Sequence, residues 1–384
     1  MADQMDGSLW ERIERCAVST FGWMVPCGNA SSAARFRMHS THSTTTRRRE
    51  RNSVLERTTG ILLGTVLSLL VVFQGADAQT RDKGPWWPNP QWGKDDQAGG
   101  SNWVTPEKIL EALKLVKTGK VYELGQVYSS TMPLFGSRSF TLTIPGSPTG
   151  GPLGANQLIY HDEYISTEIG QVGTQFDGPG HIGQMMKMAD GTEKGVFYNG
   201  YTLDEIKSPY GLRQLGIEHV KPIVTRGILI DIAGYKGVDA LPNSYEVTVA
   251  DVQGALKKQG IAEATLKPGD ALFFRYGWSK YWSDAPKYNA NPPGIGVAVA
   301  KWVVERKASM IGSDQWCTEV VPNPDASLAF PVHQELITKN GVWNLENMVF
   351  DDLVKEGAHE FLFVFTPLRF QGGTGSPGRP IAIR

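Results

Sequence analysis

The sequence predicts an α/β or α+β fold gathered in one large domain, and three observations lead there. Short apolar runs of strand composition alternate with capped helical stretches through the second half of the chain. The 384 residues with 41% apolar content can bury a sizeable core, and 43 glycines with 23 prolines imply many turns. No repeat of solenoid period is visible. A formal net charge of -1 and a pI near 6.7 offer neither a basic field for nucleic acid nor an acidic tail, so a small-molecule substrate is favoured. Three cysteines, two of them Cys16 and Cys27, make no disulfide framework, and no C-x-x-C zinc spacing occurs.

Residues 1–58 are rich in Ser, Thr and Arg and lack a periodic apolar face, which predicts disorder. Residues 59–78 read as a secretory signal peptide. The basic run Arg47-Arg48-Arg49-Glu50-Arg51 precedes 13 apolar residues from Ile61 to Phe73, and Ala76-Asp77-Ala78 supplies a small-x-small cleavage site. The apolar run falls short of the roughly 20 residues a membrane span needs. The mature chain is therefore expected to be secreted or periplasmic, with no stable span once the signal is cleaved; an uncleaved anchor is the alternative, and Met38 is another possible start. Residues 79–102 carry Pro85, Trp86, Trp87, Pro88, Pro90 and Trp92 and are expected to form an extended arm whose aromatics dock on the domain or on a second subunit.

The main domain is placed at residues 103–384. Thr105-Pro106 supplies an N-cap and an N1 proline for a helix with Ile109, Leu110, Leu113 and Val116 as its stripe and Gly119 at its stop. Val121 to Leu124, Met132 to Ile144 and Gln157 to Ile159 read as strands. Farther on, Arg226 to Ile232, Ala271 to Tyr276 and Ser309 to Gly312 are strands. Thr248 to Lys258 and Val297 to Arg306 are helices, the latter with Ala298, Val299, Trp302 and Val303 inward. His161 reads as a solvated loop residue or a substrate contact, and Met185, Met186 and Met188 as core or as a pocket floor.

The run Gln171-Val172-Gly173-Thr174-Gln175-Phe176-Asp177-Gly178-Pro179-Gly180-His181 holds one carboxylate, one imidazole and two carboxamides among four breakers of regular structure. A bent, stiffened loop of this kind aims polar groups. It resembles the signature of the cyclase family, the metal-dependent hydrolases that include bacterial kynurenine formamidase and isatin hydrolase, whose pattern reads H-x-G-T-H-x-D-x-P-x-H. Gly173, Thr174, Asp177, Pro179 and His181 match in register, while Gln171 and Gln175 stand where the pattern has histidines. Two later segments are also similar to the family: Val332-His333, Leu336, Gly341-Val342 and Glu346-Asn347, and the closing Pro367-Leu368-Arg369 with Gly372-Gly373-Thr374-Gly375-Ser376-Pro377.

The resemblance implies a single domain with a mixed, barrel-like sheet flanked by helices, the swivelling β/β/α fold of kynurenine formamidase, and a homo-oligomer. It also implies that Asp177, His333 and Glu346 hold a divalent metal, zinc or manganese, with Gln175 as a further ligand. An Asp, a His and a Glu are a plausible set for such an ion, and carboxamides are poorer zinc donors than imidazole, so one firm metal position is expected. His181 falls at the family's general acid/base position, and Glu346 could share that role. Gln171, Thr174 and Phe176 are candidate substrate contacts. A Lewis-acid ion lowers the pKa of water, so the implied reaction is hydrolysis of an amide, formamide or lactam, as in arylformamidase. The alternatives are a lactone or cyclic ester hydrolase and a non-catalytic small-molecule-binding protein on the same fold. Cys317, with no histidine near it in sequence, reads as a buried inert thiol rather than a nucleophile.

Overall fold

Nine strands form one mixed sheet in the computed structural model, which describes residues 83–384. The expectations for residues 1–58 and for the signal peptide lie outside the described residues. In chain order the strands are β1 (Val121–Glu123), β2 (Gln175–Asp177), β3 (Ile223–Asp231), β4 (Ala271–Arg275), β5 (Met310–Ser313), β6 (Trp343–Glu346), β7 (Glu360–Phe365), β8 (Gly375–Pro377) and β9 (Ile381–Ile383). They lie side by side as β1-β9-β7-β3-β4-β5-β6-β2-β8. The centre, β3 to β6, is parallel, and the flanks are antiparallel.

The sheet curls, and two contacts show it. Phe176 of β2 and Phe365 of β7 stack with ring centroids 5.3 Å apart although four strands separate β2 from β7 in the sheet. Beyond β1, Gly125 bridges to Met348 just past β6. The concave face takes one apolar row from successive strands, including Tyr122, Phe176, Leu229, Phe273, Met310, Leu345 and Phe363. Because side chains alternate along a strand, Ile228, Ile230, Leu272, Phe274 and Ile311 point the other way. That convex face is covered by helices Val249–Lys258 and Val297–Glu305. Burial on both faces explains why the stretches Gly227 to Ile230 of β3 and Ala271 to Phe274 of β4 are apolar without alternation.

The predicted central strands and helices are present with ends shifted by a few residues. Thr248 caps its helix in a reciprocal box with Asp251, as Ser/Thr-x-x-acid spacing dictates. Three expectations are corrected. Helix Pro106–Leu113 buries Lys108 and Ala112, while Leu110 and Leu113 are exposed, because Lys108 reaches inward to pair with buried Asp270. In the helix Val297–Glu305, Ala300 is buried and Ala298 exposed. Of Met132 to Ile144 only Phe140–Thr143 is a strand. It pairs with Tyr164–Thr167 in a ribbon that continues into the pair Gly150–Leu153 and Leu158–Tyr160. This ribbon joins no larger sheet and carries His161, Leu142, Ile159, Tyr164 and Ile165 exposed.

Upstream, Trp87 is buried against Met188 and Val196, so the arm docks on the domain by that ring; Met185 stays exposed. No helix among the described residues is long and apolar enough to cross a membrane.

Candidate metal centre

On the convex face the sheet changes from apolar to polar at β6 and β2. The antiparallel register sets Asn344 opposite Asp177 and Glu346 opposite Gln175, with Leu345 and Phe176 between them pointing into the concave core. Two short polar–apolar–polar strands thus put four polar side chains on one face. The preceding loop is held against β6 by Asn347, whose Nδ2 donates to the Gly173 carbonyl at 2.6 Å, while Thr174 Oγ1 donates to the Asn347 carbonyl at 2.7 Å. Gly173 has φ +60°, and a Cβ there would strike the Tyr128 ring, so only glycine serves.

His333 comes from the helical turn Pro331–His333, which continues as the π-helical Gln334–Thr338. Val332 and Leu336 anchor this stretch in the convex-face core. The imidazole is gripped from behind by Glu319, whose Oε1 lies 2.5 Å from Nδ1 and accepts from the His333 backbone N–H at 3.1 Å, and whose Oε2 accepts from Val332 N–H at 3.2 Å. With Nδ1 engaged, Nε2 faces Glu346 Oε1 at 3.3 Å and Asp177 Oδ2 at 3.6 Å. One ligand atom from each of Asp177, His333 and Glu346 lies within 4.8 Å of the others, and all three residues are buried.

The donor set fits a divalent cation: two carboxylates and one imidazole, with the imidazole's other nitrogen held by a carboxylate, the usual support for a metal-bound histidine. A positively polarised group already lies among them. Asn344 Nδ2 is 3.1 Å from Asp177 Oδ2, 2.8 Å from Glu346 Oε1 and 3.5 Å from His333 Nε2. The remaining two carboxylate oxygens are also served by carboxamides, Gln175 Nε2 donating to Glu346 Oε2 at 2.8 Å and Gln171 Nε2 to Asp177 Oδ1 at 3.2 Å.

Charge is divided unevenly. Burial works against ionisation of Asp177, but the charges and hydrogen bonds of His181, His333 and Gln171 outweigh it and hold Asp177 below the ordinary carboxylate range. Burial and the neighbouring Asp177 charge push Glu346 up to about 7, against the pull of His333 and Asn344. Burial also disfavours a charged His333, yet its hydrogen bonds to Asp177, Glu319 and Glu346 prevail and raise it well above an ordinary histidine. His181, with Nε2 3.6 Å from Asp177 Oδ1, is lowered by burial and by the charges of His333 and Arg138, which Asp177 only partly offsets. Its side chain keeps 20% exposure and is the one imidazole of the site that reaches solvent.

The structure thus brings Asp177, Gln175, His181, His333 and Glu346 together, with Gln171 at their edge. Two candidate substrate contacts are corrected. Phe176 is fully buried on the opposite face of β2 against Phe365, because alternation sends it away from Gln175 and Asp177. Thr174 is likewise buried and spends its hydroxyl on Asn347 and on the Gln126 N–H. Sequence reasoning missed Glu319 and Asn344. Cys317, Glu319 and His333 form a second close group, but burial pushes the Cys317 thiol far up, which keeps it protonated.

The cyclase family, described as "Putative cyclase", matches residues 122–320. No curated protein matches the chain. A solved structure described as a novel cyclase shares 33% identity over 76% of this chain and 96% of its own, with a TM-score of 0.66. Isatin hydrolase A from Ralstonia solanacearum shares the fold at 21% identity over 73% of this chain and 99% of its own, with a TM-score of 0.52. Isatin hydrolase A from Labrenzia aggregata does so at 18% identity over 68% and 93%, with a TM-score of 0.50. A match over half the chain and a one-third-identical structure spanning most of it, on the same curled sheet, make this chain a member of the cyclase family.

Proposed function

We propose that the chain is a metal-dependent hydrolase of a carbon–nitrogen bond, cleaving an amide, formamide or lactam of a small aromatic substrate, as arylformamidase does. The observation that carries the reading is the Glu319–His333 pair aiming Nε2 at Asp177 and Glu346. The fold shared with isatin hydrolase A supports it. Asp177, His333 and Glu346 would hold one divalent ion, zinc or manganese, which supplies Lewis acidity toward a carbonyl and acidifies water. Glu319 fixes the imidazole tautomer. Asn344 and Gln175 orient Glu346.

His181 is the proton carrier. Its lowered pKa leaves it neutral at pH 7, able to take a proton from water and return it to the departing nitrogen, and its partial exposure lets it face a bound substrate. Glu346, on the far side of Asp177 from His181, is the second candidate for that role. The test is metal analysis of the purified protein with a screen of formyl-arylamides, lactams and lactones. Hydrolysis lost on chelation and restored by the ion supports the reading; no turnover in the metal-loaded protein contradicts it.

A second reading, a small-molecule-binding protein without turnover, draws on the carboxamides. Asn344, Gln175 and Gln171 give each of the four carboxylate oxygens of Asp177 and Glu346 an amide donor, so the buried charges are satisfied by protein groups alone. Metal content separates the two: about one tightly held ion per chain for the enzyme, none for the binder.

A further inference from the structure

At the root of the exposed ribbon, Arg138 presents a guanidinium that makes no ion pair among the described residues. No Asp or Glu oxygen of the described residues lies within ion-pairing distance of it; Arg226, Arg275, Arg306 and Arg379 have such a partner, while Arg213, Arg369 and Arg384 share its lack of one. Glu168, near enough to feel its charge, accepts instead from the Ser139 N–H at 2.9 Å. The two hydrogen bonds Arg138 does make are long, 3.4 Å to Gln171 Oε1 and 3.5 Å to the Phe135 carbonyl. Most of its donor capacity is unspent.

Arg138 is joined to an aromatic wall and to the candidate metal centre. Its guanidinium lies 5.6 Å from the Phe135 ring centroid, and Phe135 stacks on Trp316 at 3.9 Å and 15°. Trp316 precedes, in the same segment, the Glu319 that grips His333. Its indole nitrogen is buried without an acceptor in the protein, although the ring is only 9% exposed. Gln171 spans the remaining gap, accepting from Arg138 with one end of its carboxamide and donating to Asp177 with the other. A cation therefore lies one carboxamide away from Asp177, with the Phe135 ring beside it and Trp316, its N–H unpaired, stacked on Phe135.

We propose that Arg138 is a substrate-binding residue and that the substrate is an aromatic carboxylate. Its ring lies along Phe135 and Trp316, and its carboxylate meets the guanidinium, which the planar fork suits. Asp177, Glu319 and Glu346 repel an anion, so the carboxylate must be held at a distance from them. Arg138 stands one carboxamide from Asp177, which leaves the scissile bond toward the metal ligands. This deepens the hydrolase reading and rests on it for the reaction, though not for the anion site itself.

The test pairs binding with turnover on the zinc-loaded protein, comparing wild type with Arg138→Met, which keeps length and loses charge, and Arg138→Lys. Calorimetric titration should show benzoate bound more tightly than benzamide by on the order of 10- to 100-fold, the scale of one charge-assisted contact. Arg138→Met should erase that ratio, and Arg138→Lys should restore part of it. The ratio of kcat/KM for 2-formamidobenzoate over formanilide should fall by a similar factor in Arg138→Met, through KM. Equal affinity for benzoate and benzamide in wild type overturns the proposal, as does an unchanged ratio in Arg138→Met. A fall in kcat alike for both formamides also overturns it, because Arg138 would then act at the reacting carbonyl. Hydrolysis of neither compound, with the benzoate preference intact and lost in Arg138→Met, defeats the hydrolase reading and upholds the anion site.

Discussion

Glu319 holds His333 from behind, with its Oε1 2.5 Å from Nδ1 and both of its oxygens accepting backbone N–H groups of Val332 and His333. The pair fixes the direction of Nε2 before any ligand arrives. Replacing Glu319 with Gln keeps the shape but removes the charge and leaves one acceptor oxygen where there were two, so at least one of the donors Nδ1–H, His333 N–H and Val332 N–H then faces an NH2 group. Metal affinity should fall by about 10- to 100-fold, the usual cost of losing a carboxylate behind a metal-bound histidine. Titration against a competing chelator measures this, and an unchanged affinity would show that His333 is not a ligand.

The same cluster predicts how metal binding depends on pH. Glu346 is pushed up to about 7, so in the ion-free protein it carries a proton below that pH, and His333, raised well above its ordinary value, is protonated as well. A cation needs both groups deprotonated, so uptake releases protons and affinity weakens as pH falls. Below about 7 the apparent affinity should drop by roughly tenfold or more per pH unit, one decade for each proton displaced. Isothermal titration in buffers of different ionisation enthalpy reads the proton release directly, and a flat affinity from pH 8 to 5.5 contradicts the assignment.

Phe176 ties the fold to the site. It is wholly buried between Gln175 and Asp177, stacked on Phe365 in the concave core. Truncation to Ala should cost about 3–5 kcal/mol of folding stability, the scale of a large aromatic removed from a core. Urea unfolding followed by tryptophan fluorescence tests this; a loss under about 1 kcal/mol would mean that β2 is not anchored by that ring.

Export is a proposal that rests on the basic flank, the apolar run from Ile61 to Phe73 and Ala76-Asp77-Ala78. N-terminal sequencing of the protein from its native cell should begin at or near Gln79. An intact N-terminus on cytoplasmic protein refutes it.

The central strands and the helices they alternate with are legible because each signal is local: Gly227 to Ile230 of β3 and Ala271 to Phe274 of β4 are apolar runs, and Thr248 with Asp251 spells its own cap. The curl of the sheet was not legible from periodicity, since the contact of Phe176 with Phe365 joins residues far apart in the chain. Asp177, His333 and Glu346 were found through family-like segments. Glu319 carries no such signal, since nothing local in Trp316-Cys317-Thr318-Glu319 says that its carboxylate meets a histidine on another element. Asn344 did leave a trace, the polar–apolar–polar pattern of Asn344-Leu345-Glu346, which answers Gln175-Phe176-Asp177 across the sheet. Only pairing register turns two such patterns into one site. Arg138 sits in a loop before an exposed ribbon, where an arginine ordinarily means solvent.

Asp177 joins every part of the site, because it lies beside both histidines and receives Gln171 and Asn344. The decisive measurement is metal content per chain, by elemental mass spectrometry, for wild type, Asp177→Asn and His181→Ala purified side by side. Wild type should carry about one divalent ion, Asp177→Asn none together with loss of hydrolysis, and His181→Ala full occupancy with turnover reduced by about 10²-fold or more. Full metal occupancy in a folded Asp177→Asn protein would contradict Asp177 as a metal ligand.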